Sequence, residues 1–233
     1  MLVIGEHQMI WKPVLKVGST SMVNFFGKKI FGEEYAKSHK HGDLRKRLHE
    51  RYWENPHRIG YLRSMAGEDL DGFFKFSFVR NPWHRLVSAH KTLMKRGPFG
   101  KQIIEQSKYE MGLPVPRIYE IMKGDRSFEA FVNFIKYKER NHTESVNGHW
   151  RTQVGVLELD SILKMKYDFI GRLENIQEDF PYVLNKLNLP EENLYKNNIS
   201  PKYNWKEYYN TKLIDQVGEY YTRDIEEFDF KYY

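Results

Sequence analysis

The chain has 233 residues, 37 Lys and Arg against 31 Asp and Glu for a net charge of +6, and a hydrophobic share of 40%. That length fits one large domain over residues 1–233, and the apolar share supplies a core and argues against wholesale disorder. Cysteine is absent, which excludes a disulfide scaffold, a thiolate zinc site and a cysteine nucleophile.

The positive excess points to an anionic ligand or surface, without choosing among nucleotide, nucleic acid, polyanion and membrane. No segment approaches the roughly 20 apolar residues that span a bilayer. The opening MLVIGEHQMIWKP lacks a basic region ahead of an apolar run and a small-residue cleavage site, so the expectation is a soluble, cytoplasmic protein with no integral membrane segment.

Residues 10–16 (IWKPVLK) read as a short strand that Pro13 confines to an edge or to its beginning. Gly18-Ser19-Thr20-Ser21 breaks it, and Met22, Phe25, Phe26 and Ile30 then recur at helical spacing. Residues 33–69 are basic and histidine-rich and read as helical turns and solvated loop. FFKFSFV (73–79) is the best strand in the chain, aromatic and β-branched. Arg80-Asn81-Pro82 ends it, and residues 83–95 continue as a helix whose first turn accommodates Pro82.

Residues 98–126 stay ambiguous. Ser127 suits the N-cap of a helix with Phe128, Phe131, Val132 and Ile135 on one face. A polar stretch (139–153) precedes a strand at 166–174, and IQEDFPYVLNKLN reads as a helix with Pro181 near its start. Residues 197–206 are loop-like, and a closing helix over 207–228 bears Leu213, Ile214, Val217, Tyr220, Tyr221 and Ile225. Strands alternating with helices predict an α/β fold with a parallel sheet.

Two strand–turn–helix units offer chemistry. Lys16-Val17-Gly18-Ser19-Thr20-Ser21 places consecutive backbone N–H groups, three hydroxyls and a cation where a helix dipole begins, a geometry that cradles phosphate. Its lysine comes first, so it is not GxxxxGK[ST]. A Ser/Thr-capped helix start with a surface lysine explains the same string. In the second unit Arg80 stands at the carboxyl end of a strong strand, where open α/β sheets bind ligands, and Ser88 follows a little over two helical turns later. An anion there is held by the arginine fork and the hydroxyl. A strand-end arginine paired with a carboxylate is the alternative. Taken together, the two units describe a ligand with phosphate at two positions.

KVGSTS, followed about sixty residues later by FSFVRNPWHRLVSAH, resembles the carbohydrate sulfotransferases of the Golgi-type group (sulfotransferase family 2, acting on chondroitin, dermatan and HNK-1-type glycans). The likeness continues through SFEAFVNFI, VNGHWRTQ, YDFIGRLENIQEDFPYVL and YYTRDIEEFDF, in the family's order. It implies a P-loop-like three-layer fold with a central parallel sheet flanked by helices. It also implies 3′-phosphoadenosine 5′-phosphosulfate (PAPS) as donor and a carbohydrate as acceptor. Lys16, Gly18, Ser19, Thr20 and Ser21 would hold the 5′-phosphosulfate, Arg80 and Ser88 the 3′-phosphate, and a loop with Ser200 and Lys202 would close over the nucleotide.

Family members usually have a membrane anchor and several cysteines. The chain lacks both, so a Golgi-lumenal fragment freed of its anchor is the second expectation for compartment. Asn81 stands where an acidic residue is frequent.

Sulfuryl transfer demands in-line geometry and charge stabilisation on the leaving group, the role that falls to Lys16. A base for the acceptor hydroxyl is expected from His149, in a polar loop beside Trp150 and Arg151, with His57 second. His84 and His90 decorate the Arg80 helix. No metal is required, and His39, His41, His49 and His57 sit among too many Lys and Arg to favour a cation. Against this reading stand a P-loop-like kinase, disfavoured by the missing GK[ST], and a basic nucleic-acid binder. The latter leaves unexplained a lysine and an arginine each at a strand-to-helix turn.

Overall fold

The structure, a computed structural model, describes residues 2–4, 8–31, 72–95, 125–141, 148–158, 166–192, 194 and 203–233. They fall into two compact units, one from Met1–Val79 with Leu157–Lys202, the other from Arg80–Val156 with Tyr203–Tyr233. The expected turns and loop of 33–69, and all of 98–124, lie outside the described residues.

The first unit holds a four-stranded sheet in the order β1 (Leu2–Ile4), β2 (Met9–Lys12), β3 (Phe74–Val79), β4 (Phe169–Arg172). β1 runs antiparallel to β2, and β2, β3 and β4 are mutually parallel. Trp11 stands opposite Phe76, and Phe76 opposite Phe169, so one face of the sheet is aromatic. The period-two alternation of β3 puts Phe74, Phe76 and Phe78 on that face and Ser77 and Val79 on the other.

Helices α1 (Ser19–Phe31) and α5 (Ile176–Lys186) cover the aromatic face. Phe26 of α1 lies 6.2 Å from Phe76, and Phe180 of α5 lies 6.4 Å from Phe78 and 5.0 Å, edge-on, from Phe25. Each such pair adds about 1 kcal/mol beyond simple area burial. Gly171 admits the Phe78 ring so closely that a Cβ there would stand 2.4 Å from Cε1. Ser77, fully buried on the opposite face, donates its hydroxyl to the Lys12 carbonyl at 2.7 Å.

Two expectations change here. β2 begins at Met9 and stops at Lys12, and it is paired on both sides rather than at an edge. Pro13, which has no N–H to donate, ends the ladder and does not sit within it. Pro181 is inside α5, not at its start.

The second unit is helical: α2 (Pro82–Lys95), α3 (Phe128–Asn141), the short α4 (Gln153–Glu158), α6 (Thr211–Tyr220) and α7 (Thr222–Phe228). Ser127 caps α3 as expected, its hydroxyl accepting the Ala130 N–H at 3.1 Å. The single closing helix is in fact two, broken at Tyr221 (φ −104, ψ 21), and a 3₁₀ turn at Trp205–Tyr208 precedes them. Trp83, Leu86, Val87, Phe131, Phe134, Trp150 and Val217 form the core. Among the described residues, no helix is long and apolar enough to cross a membrane.

Candidate functional site

In the first unit the chain leaves β2, turns through Pro13–Val17 and enters α1 at Ser19. Two residues of this turn have positive φ, Lys16 at 71° and Gly18 at 80°. Such angles are routine for glycine and cost a lysine about 1–2 kcal/mol. The Gly18 carbonyl accepts from Ser21 N at 2.9 Å and Met22 N at 3.2 Å, so the α1 ladder starts there. The N–H groups that open a helix have no acceptor within it. No acidic side chain stands in the first turn of α1, while Lys28 and Lys29 occupy the last, so the N-terminal end of the dipole stays positive.

A cavity of about 370 Å³ opens beside this turn, between Gly18 and Ser21 on one side and Leu173, Phe180, Glu192 and Leu194 on the other. Glu192 pairs with Lys29. The cradle is glycine-dependent: a Cβ on Gly18 would stand 3.0 Å from Leu173 Cδ1.

In the second unit Arg80 is fixed through its backbone. Gln153 Oε1 accepts the Arg80 N–H at 2.9 Å, and Gln153 Nε2 donates to the Arg80 carbonyl at 2.8 Å. Gln153 is fully buried and is itself held by Asp224, also fully buried, whose carboxylate accepts Gln153 N at 2.8 Å and Val154 N at 2.9 Å. Burial raises the Asp224 carboxyl above its usual range against the pull of these N–H groups and of Arg85.

The Arg80 side chain reaches His84 Nε2 through Nη2. Burial, and then the Arg80 charge, hold His84 down to about 3, so its imidazole is neutral and accepts the guanidinium N–H. The ring stacks on Trp205, centroids 5.4 Å apart at 15°. Tyr203 shares hydrogen bonds with both Arg80 and Ser88, and burial raises its phenol, keeping it protonated. The residues expected at one phosphate, Arg80 and Ser88, thus meet at one phenol oxygen. Asn81 caps α2, with Oδ1 accepting His84 N at 3.3 Å, and it donates Nδ2 to the Lys231 carbonyl at 2.7 Å.

His149 sits half-buried in a turn held from both sides. Arg85, fully buried, donates Nη1 to the Arg151 carbonyl at 2.8 Å and Nη2 to the Gly148 carbonyl at 3.1 Å. The Tyr221 hydroxyl donates to the Trp150 carbonyl at 2.5 Å. His57, Ser200 and Lys202 lie outside the described residues.

Five residues at or behind the site carry little local signal: Tyr203, His84, Gln153, Asp224 and Arg85. His84 does more than decorate its helix, since it contacts Arg80, whereas His90 is a core residue whose Nε2 meets the Arg126 carbonyl at 2.9 Å. Gln153, Asp224 and Arg85 are fully buried, and the sequence alone assigns none of them a role. The one signal for Arg85 is its place in the apolar phase of α2, between Trp83 and Leu86.

A family model described as the sulfotransferase family matches residues 1–231. Carbohydrate sulfotransferase 14 of Danio rerio is 28% identical over 213 residues, 82% of this chain and 49% of that protein. Carbohydrate sulfotransferase 12 of Mus musculus is 27% identical over 198 residues, 78% of this chain and 44% of that protein. Carbohydrate sulfotransferase 9 of Homo sapiens is 28% identical over 187 residues, 74% and 40% respectively. The chain therefore spans about half the length, or less, of these curated relatives. No solved structure gives a significant match.

Proposed function

The chain belongs to the sulfotransferase family, and we propose that it moves a sulfuryl group from PAPS to a hydroxyl of a carbohydrate. The family match includes residues of both compact units, which supports reading 1–233 as one P-loop-like sulfotransferase domain. The relatives' names support a carbohydrate acceptor.

The residues fit the donor. The glycine cradle at Gly18, the opening N–H groups of α1 and the hydroxyls of Ser19, Thr20 and Ser21 are donors without a nearby first-turn carboxylate, the composition a phosphosulfate needs. Arg80 and Ser88 suit the 3′-phosphate. When bound, the nucleotide supplies an activated sulfuryl group on an oxygen that leaves with negative charge. Lys16 neutralises that oxygen, an electrostatic contribution of about 3–4 kcal/mol for one well-placed donor. Arg80 and Ser88 orient the nucleotide, a positioning effect. His149, on its clamped turn, takes the acceptor proton; His57 is the second candidate, and Ser200 and Lys202 are proposed to cover the nucleotide.

The observation that most supports this reading is the meeting of Arg80 and Ser88 at Tyr203, because a helix built only for packing has no need to bring them together. The test incubates the full chain with radiolabelled PAPS and a panel of glycan acceptors. Label is expected on at least one glycan, and Lys16→Ala is expected to lower turnover at least ~100-fold with an unchanged melting curve. Undiminished turnover in Lys16→Ala, or label on no glycan, overturns the proposal.

A further inference from the structure

We propose that Tyr203 and Lys91 complete the phosphate-holding site begun by Arg80 and Ser88, and that they make it selective for a terminal phosphomonoester over other anions. The inference rests on the reading of Arg80 and Ser88 given above and extends it to two residues outside the α2 entry segment that carries the resemblance.

Along α2 and the residue pair before it, Arg80, His84, Ser88 and Lys91 recur at steps of four, four and three, so they line one face of the helix. Tyr203 comes from a distant part of the chain and lies against that face. Its hydroxyl bonds with Arg80 and Ser88, its ring edge meets His84 at 6.0 Å, and Lys91 Nζ sits 3.5 Å from its ring centroid. The Tyr203 side chain therefore meets Arg80 and the three α2 residues alike.

The chemistry of the group is specific. Arg80 and Lys91 bring two positive charges, and the hydroxyls of Ser88 and Tyr203 bring two neutral donors. The Tyr203 phenol stays protonated and His84 stays neutral, so neither adds a charge that would change the balance. A phosphomonoester dianion has three oxygens and close to two negative charges, which this set matches. A phosphodiester or a carboxylate, with one charge, uses half of it. Cation–π attraction to the ring holds the flexible Lys91 ammonium near the site. Tyr203 is thus a positioning residue for Arg80 and Ser88 and a donor in its own right.

The test compares adenosine 3′,5′-bisphosphate with adenosine 5′-monophosphate by calorimetry on the full chain. Tyr203→Phe keeps the ring and the lysine contact and removes only the hydroxyl. It is expected to weaken the bisphosphate about 10-fold and to leave the monophosphate within about twofold, the scale of one hydrogen bond to a charged group. Lys91→Gln is expected to act in the same direction and to flatten the salt dependence of bisphosphate binding. Equal losses for both nucleotides, or no loss for either, overturns the inference.

Arg80→Ala in the same assay separates the two levels. If it abolishes the preference for the bisphosphate while Tyr203→Phe leaves that preference intact, only the roles of Tyr203 and Lys91 fail. If Arg80→Ala leaves the preference intact, or the unaltered chain shows none, the 3′-phosphate reading fails and the inference with it. Melting curves of each variant, matched to the unaltered chain, exclude a loss through unfolding.

Discussion

Gly18 joins two constraints that no other residue satisfies at once: a φ of 80° and a Cβ position 3.0 Å from Leu173 Cδ1. Alanine there has to bear left-handed backbone strain and push Leu173 aside, so Gly18→Ala is expected to cost about 1–3 kcal/mol, read from the urea midpoint. It is also expected to weaken nucleotide binding, because Leu173 borders the cavity beside the same turn. A variant of unchanged stability and affinity shows the turn to be a plain helix cap. Lys16, two residues earlier, tolerates φ 71° without glycine's freedom. A strained lysine at the mouth of a helix dipole fits the role proposed for it, since strain of this kind persists where surrounding structure over-determines it. At this scale the sequence was informative about Lys16, Gly18, Arg80 and Ser88 because small residues and a strand-end arginine leave a local signature. Tyr203, His84, Gln153 and Asp224 had none. Their roles come from partners far along the chain: Gln153 and Arg80 are 73 residues apart, Asp224 and Gln153 71, and the ring partners His84 and Trp205 lie in segments further apart still. Spacing along the chain holds no trace of such contacts.

Among elements, α2 depends least on its own sequence. Asn81 caps its start, but the position of Arg80 just ahead of it is set by the side-chain amide of Gln153, which pairs with both the N–H and the carbonyl of Arg80 as a neighbouring strand would. Asp224, at the start of α7, fixes that amide. Removing the amide in Gln153→Leu leaves a buried carboxylate short of a donor and takes two hydrogen bonds from the Arg80 backbone. The expected loss is about 2–4 kcal/mol in chemical denaturation. Gln153→Glu, which keeps an acceptor for the Arg80 N–H but sets a second carboxylate against Asp224, is expected to lose at least as much. A mild effect of both variants shows that Arg80 is held by other means. The helices and strands themselves were largely readable, since Phe74, Phe76 and Phe78 alternate and Phe128, Phe131, Val132 and Ile135 recur at helical spacing. What the pattern lacked were breaks with tertiary causes. Tyr221 interrupts the closing helix while its hydroxyl reaches the Trp150 carbonyl, and α4, only 6 residues long with Gly155 inside it, is too short to show a helical period and forms where Asp224 satisfies its first N–H groups.

For the molecule as a whole, the buried ionisable groups of the second unit make folding sensitive to acid, and the signs oppose one another. His84 titrates near 6.5 when unfolded and about 3 when folded, so below pH 6.5 the unfolded chain binds a proton that the folded chain refuses. Its contribution to stability is complete above pH 6.5 and is lost progressively as pH falls toward 3. His90, lowered chiefly by burial, acts in the same direction. Asp224 acts in reverse: its carboxyl is raised from 3.8, so the folded chain keeps the proton longer, and stability from this group is lost as pH rises through the folded value. Between pH 7 and 5 the two histidines already titrate in the unfolded chain, and the melting temperature is expected to fall across that interval. His84→Gln, which preserves an acceptor toward Arg80 and cannot titrate, is expected to fall less over the same interval. The difference between the two slopes isolates His84 from every carboxyl the two proteins share. Parallel slopes would mean that His84 takes up its proton in the folded state as readily as in the unfolded one. A charged imidazole would then stand beside the Arg80 guanidinium, and an anion bound there would have a third cation to meet, altering the charge balance on which selectivity for a phosphomonoester depends.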